Sequence, residues 1–403
     1  MSTKSDGTGT PFHSMTRREF IRLAAIAGVL AGCGPVVQSA TPTTVPPSPA
    51  PKPTDTPNAP PSPAPKPTDA PKAMPTNTVA LQPSPGPSVV SSSGRPEIIK
   101  TYPAVPSRVV RTHHAGVWSG DKLVPGAIRQ MLDASITKLT GLSDAPTAWA
   151  ALFKPTEKIA IKVNVFRNSL IWTHLPLVMA VTDSLKQVGI PPERIVVFDY
   201  YTDELKTANY PVNEKGPGVR CYGTDFDQGD SIKGYTEGWK AGTKSVELSN
   251  ILLGCDALIN MPILKSHMIT GLTFALKNHF GSVSSPASLH YPYDQSLAGL
   301  NALPPIKDRT RLIVGDILTA NLHYRSGFPY WDSDWTGDSI LMSFDPVAHD
   351  TVGLQILTDL VKDNSSYMDA ITAMAAPYLK SSAEIGLGTN DPKHMELMEV
   401  KLT

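Results

Sequence analysis

The chain is poor in cysteine: 3 in 403 residues. They stand at Cys33, Cys221 and Cys255, too few for an iron–sulfur cluster or a zinc site with four cysteine ligands. Net charge is equally scarce. Lys+Arg and Asp+Glu both number 36, so no global field favours nucleic acid. Nor is the apolar run Leu23–Gly32 long enough to cross a membrane, which takes roughly 20 residues as a helix. Proline is the exception to this scarcity, with 39 residues.

That apolar run follows paired arginines in "TRREFIRLAAIAGVLAGCG". Arg17, Arg18 and Phe20 ahead of a short apolar stretch read as an export signal of the twin-arginine type. Its end, "LAGC", resembles a lipobox, which makes Cys33 the expected lipidated N-terminus; an ordinary signal peptide cut near Ala40 is the alternative. Loss of residues 1–32 removes Lys4, Arg17, Arg18 and Arg22 along with Asp6 and Glu19. The mature chain then has no basic excess for anionic lipid, so the expected membrane partner acts through the anchor at Cys33. Export also implies the twin-arginine machinery as a partner and an extracytoplasmic location.

Residues 33–95 contain little besides Pro, Ser, Thr and Ala, and "PPSPAPKPTD" occurs at 46–55 and again at 60–69. Such a segment has almost nothing apolar to bury against its ordering entropy. A disordered stalk is expected, up to roughly 190 Å long at full polyproline extension.

From 96 to 403 the pattern alternates. Strands are expected at 108–118, 157–166, 193–200, 255–264, 310–317, 339–345 and 395–402. Helices are expected at 123–141, 175–190 and 346–363, the last starting at Pro346 with Asp345 as its cap. The strand–helix–strand run 157–200 implies parallel pairing with a right-handed crossover. The fold class is therefore α/β: three layers, a mostly parallel sheet and flanking helices. Cys255, in "LLGCDALI", reads as a small core residue, and two buried thiols are favoured over a Cys221–Cys255 disulfide.

Polar residues close these strands. Alternation puts Lys162 and Asn164 on one face, and Lys265 and His267 on the face of Ile259, Met261 and Ile263. Asp199, Asp316 and Asp345 end three others. Five strands thus end in polar side chains, all expected on one rim, where open α/β sheets bind ligands. Lys162 and Lys265 there need Asp199 or Asp316 as partners, or an anion. The helix after Lys265 is expected to aim its N-terminal amides at the same ligand.

Bland readings stand beside these. Asp345 is most simply a cap, and Asp199 and Asp316 suit turn entrances. Lys277 and Asn278 suit a solvated helix face. His279 and His290 suit a surface or a satisfied core, and His349 and Asp350 a structural role.

The stretches "IAIKVNVF", "CDALINMPILKSHMITGLTFALKNHFGSV" and "SFDPVAHDTVG" resemble the domain-of-unknown-function 362 family over roughly 108–360. Its motifs fall on Lys162, Asn164, Asn260, Pro262, Lys265, His267, Thr273, Lys277, Asn278, Gly281, Asp345 and Asp350. Relatives often carry ferredoxin-like cysteine runs; this chain does not, so no iron–sulfur cluster is expected. Where relatives are glycine-rich after the late strand, this chain reads "GDILTANLHYRSG". The resemblance settles no reaction.

The expected function is an extracytoplasmic enzyme acting on a small carboxylate or phosphate. Lys162, Lys265 and His267 are its candidate catalytic residues; Asn164, Lys277, Asn278, Asp199 and Asp316 are the candidate binding residues. A divalent metal held by Asp199, Asp316 and His267 is a further possibility without standard spacing. The alternatives are a tethered binding protein for an anionic ligand and a redox-partner accessory protein without its own cluster.

Overall fold

Proline-kinked and β-branched segments partition the chain into short strands and longer amphipathic helices, which the computed structural model assembles into one α/β body. It describes residues 106–166, 169–225, 234–325 and 329–403; the expected signal peptide, Cys33 and the proline-rich segment lie outside these. The strands, in chain order, are β1 (Ser107–His114), β2 (Trp118–Ser119), β3 (Lys122–Leu123), β4 (Ile159–Lys162), β5 (Ile195–Phe198), β6 (Arg220–Cys221) and β7 (Tyr235–Ala241). They continue with β8 (Lys244–Ser249), β9 (Ala257–Asn260), β10 (Ile263–His267), β11 (Gly271–Thr273), β12 (Thr310–Asn321), β13 (Trp335–Ser343) and β14 (Met395–Leu402).

The central sheet runs β14-β1-β13-β12-β9-β4-β5-β6, with β10 beside β12 and β11 beside β10. Along this path only β13 opposes its neighbours, since it pairs antiparallel with both β1 and β12. The β4–helix–β5 unit is parallel, as its sequence implies.

Both faces of the sheet are covered. One buries Ile159, Ile161, Ile259 and Val314 together with Ile128, Met131, Leu132, Leu177 and Val181, contributed by helices Pro125–Thr140 and Leu175–Gln187. The other buries Ala160, Phe198 and Leu258 with Leu297, Leu300, Val347, Ile356 and Tyr378. Strand alternation explains the split: odd residues of β4 go one way, even residues the other. The three-layer reading therefore holds. Cys221 and Cys255 are free and buried.

Three local expectations need correction. The apolar run 255–264 is not one strand: it breaks at Met261–Pro262 into β9 and β10. Proline has no amide hydrogen for a ladder, so the chain steps there and continues along the upper half of β12. Alternation counted from Ile259 does not carry across that step to Lys265. Asp345 does not share the rim of the other strand ends, because β13 runs opposite to β12. It instead caps helix Pro346–Leu360, accepting from Val347 N and Ala348 N at 2.8 and 2.9 Å.

Candidate functional site: a lysine–asparagine cluster at the sheet's switch point

Strand order reverses between β4 and β9. From β4 the chain goes outward to β5 and β6, then returns to place β9 on the other side. Crevices at such reversals are where open parallel sheets hold ligands. The residues opposite each other at this point are Lys162, which ends β4, and Asn260, which ends β9.

Lys162 is 1% exposed, and its ammonium has three acceptors. It donates to Asp199 Oδ1 at 2.5 Å, to Val163 O at 2.6 Å and, more weakly, to Asn278 Oδ1 at 3.5 Å. Burial pushes its pKa down, while the Asp199 carboxylate pulls the other way. Asp199 also accepts the amides of Val165 and Tyr200. Of the two aspartates weighed against the lysines, Asp199 is thus the partner.

Gly281 completes this corner. A Cβ there would lie 2.2 Å from Asp199 Oδ1 and 2.7 Å from Lys162 Nζ. Only a hydrogen fits over the ion pair.

Two asparagines carry the network outward. Asn278 donates from Nδ2 to Asn260 Oδ1 at 2.7 Å and to Lys162 O at 3.2 Å. Its Oδ1 accepts from Asn164 Nδ2 at 3.0 Å. The Asn164 oxygen in turn accepts from Lys265 Nζ at 2.8 Å, and Lys265 reaches Ser169 Oγ at 3.3 Å. Neutral oxygens, not carboxylates, therefore face the Lys265 amine. Burial, the leading cause, and the nearby Lys162 charge outweigh the pull of Asp199 and Glu204, bringing the pKa of Lys265 down to about 7.

Lys277 is 7% exposed, which rules out a solvated helix face. Among the described residues its amine has no hydrogen bond or ion pair; it lies 5.3 Å from the Phe280 ring centroid. Burial, then the charge of Lys265, holds its pKa well below the ordinary lysine value.

His267 is also buried. Its Nδ1 accepts the amides of Ile269 and Thr270 at 3.1 and 3.3 Å. A ring nitrogen that accepts carries no proton, so the imidazole is neutral with its hydrogen on Nε2. Burial first, then Lys277, His290 and Lys265, keep its pKa well below the usual histidine value.

The short helix Ala275–Asn278 holds Lys277 and Asn278. Its first amides were expected to face a ligand. They do not: Ala275 N and Leu276 N donate to the two oxygens of Asp350 at 2.7 and 2.9 Å. Asp350, buried in helix Pro346–Leu360, is thus the residue that seats this helix, in keeping with its structural reading.

Asp316 is not drawn into the lysine network. Its Oδ2 accepts from His174 N and pairs with His174 Nδ1, both at 2.8 Å, and its Oδ1 accepts from Leu318 N. Burial disfavours the charged His174 ring, but Asp316 outweighs it and raises the pKa. Nor do Asp199, Asp316 and His267 converge: no group of three His, Cys, Asp or Glu suited to a metal occurs among the described residues.

Several members escaped the sequence reading. Ser169 and Trp331 meet Lys265 from loops without periodicity. His290, weighed as a surface or core residue, is half-buried and stacks on His267 with centroids 5.5 Å apart. His279, by contrast, is buried beside Ser282.

No curated protein matches the chain. Among solved structures it is similar to the lactate racemase apoprotein from Thermoanaerobacterium thermosaccharolyticum, with a TM-score of 0.33 at 8% identity, covering 62% of this chain and 56% of that one. It is also similar to a structural-genomics protein from Thermotoga maritima, with a TM-score of 0.35 at 11% identity, covering 66% and 60%. The chain spans less than two thirds of the length of either. Residues 159–355, which contain the cluster from Lys162 to Asp350, match the family model described as Domain of unknown function (DUF362).

Proposed function

We propose that the cluster binds a small carboxylate or phosphate and that the protein is an enzyme acting on it. One observation carries this reading: Lys265 and Lys277 are buried near each other, and neither contacts a carboxylate among the described residues. An unpaired buried ammonium is expensive, and an anion offsets that cost. Lys162 is excluded from the exchange because Asp199, Val163 and Asn278 already take its protons.

The roles divide by contact, since Lys265 is held by Asn164 and Ser169 while the Lys277 amine has no hydrogen bond among the described residues. Lys277 and the Nε2 hydrogen of His267 bind the anionic group. Lys265, with a pKa of about 7, is present in both forms near neutrality and serves as the base. Asn164 holds the Lys265 amine, and Asn278 holds Asn164. His267, neutral and committed at Nδ1, is a donor here and not the proton shuttle that its side-chain type alone would favour.

Isothermal titration of the full chain with inorganic phosphate and with acetate tests the site. Binding of either, lost in Lys277→Met, supports it; no binding of any small carboxylate or phosphate rejects it. Enzyme and binder separate at Lys265: in an enzyme, Lys265→Met leaves substrate bound but not turned over. For the export reading, we propose that the chain is a lipoprotein anchored at Cys33. Its support is the "RREFI" and "LAGC" pattern. Metabolic labelling with a fatty-acid probe, lost in Cys33→Ala, tests it.

A further inference from the structure

Rings pack against Lys265 and His267. Three part-exposed rings lie against His267: Trp331 at 5.7 Å, Tyr324 at 5.8 Å and His290 at 5.5 Å between centroids. Trp331 also lies 5.5 Å from Lys265 Nζ. Around Trp331 stand Tyr324 at 5.2 Å, Phe166 at 5.8 Å and Tyr330 at 6.1 Å. Lys265, Lys277 and His267 are buried, whereas Phe166, Tyr324, Tyr330 and Trp331 are only partly so.

The indole is fixed. Its Nε1 donates to Ser266 O at 2.9 Å, and its backbone pairs with Ser169, with Leu170 N donating to Trp331 O at 2.8 Å. A rigid tryptophan loses little freedom when a flat group packs on it, so stacking there is inexpensive. Here the amines and the imidazole are buried, and the part-exposed rings pack against them.

Resting on the anion-site reading, we propose that the substrate is an aromatic acid: a carboxylate or phosphate joined to a planar ring. The anionic group meets Lys277 and His267, and the ring packs against Trp331 and Tyr324. Neither aryl carboxylate nor aryl phosphate is preferred by the wall itself, because both present the same ring.

The test compares matched pairs by isothermal titration of the full chain: benzoate against acetate, and phenyl phosphate against inorganic phosphate. Burial of the phenyl ring is expected to tighten binding about ten-fold or more within at least one pair. Trp331→Leu should shrink that ratio several-fold, while Lys277→Met weakens both members alike. If Trp331→Leu fails to fold, Tyr324→Leu reads the same wall, and the wild-type ratio stands without either variant. Acetate and phosphate binding as tightly as their aryl partners would overturn the aromatic assignment and leave the anion site intact. No binding by any of the four would overturn both.

Discussion

Removing the Asp199 carboxylate should be more damaging than removing the Lys162 amine. Both groups are almost fully buried, at 3% and 1% exposure. Asp199→Ala strands the ammonium and also orphans the amides of Val165 and Tyr200. Breaking a buried pair from one side costs about 3–5 kcal/mol, and each buried donor left unmet adds about 1–3 kcal/mol. Since these terms are not additive, a loss of about 4–6 kcal/mol is expected. Lys162→Met leaves Asp199 with its two amide donors, so the expected loss is smaller, about 2–3 kcal/mol. The double variant should fall short of the sum by about 1 kcal/mol or more. Urea unfolding of the full chain, followed by fluorescence and circular dichroism in parallel to check cooperativity, gives the three values. Equal losses in the two single variants, or strict additivity, would refute the ion pair as the organiser of this corner.

Other expected outcomes follow from the same contacts. Gly281→Ala forces a methyl against Asp199 and Lys162, and should cost about 1–3 kcal/mol in the same assay. The Lys265 amine titrates near 7 in the folded chain against an ordinary 10.5. Between those values the unfolded chain holds the extra proton, so this group makes stability rise with pH. Lys265→Met should therefore flatten the stability profile above pH 7 by at most about 1.4 kcal/mol per pH unit. Protonated Lys265 favours an anion, so binding of acetate, whose own charge is constant in this range, should weaken as pH climbs through about 7 and should take up protons in calorimetry run in two buffers. Asp350→Asn presents an NH₂ to one of the two helix amides. It should weaken phosphate binding measurably through Lys277 and cost about 1–2 kcal/mol in urea.

The layered fold was legible because its long elements carry strong periodicity. Helices Pro125–Thr140 and Leu175–Gln187 match their apolar spacing, and the β4–helix–β5 crossover needed nothing beyond the pattern. Strand direction was not legible. Nothing local in "SILMSFD" says that β13 runs against β12, so Asp345 seemed to join a rim it does not touch.

Within the site, the lysines and asparagines announced themselves as polar residues in apolar surroundings. Their pairing did not, since Asp199 and Asp316 end similar strands and only geometry gives one to Lys162 and the other to His174. Trp331 and Ser169 come from loops and His290 ends the single turn Pro286–His290, too short for side-chain direction to have a period to read. The strand expected over 255–264 passed over Pro262, whose missing amide hydrogen is the physical reason for the break.

An anion bound by Lys277, Lys265 and His267 is what the proposed function requires. Crystals of the full chain soaked in sodium selenate test it most directly by anomalous scattering. An occupied selenium position within hydrogen-bonding distance of Lys277 Nζ and His267 Nε2, lost in Lys277→Met, is the expected result. A saturating soak that labels other surfaces but leaves this space empty in the wild type would contradict it.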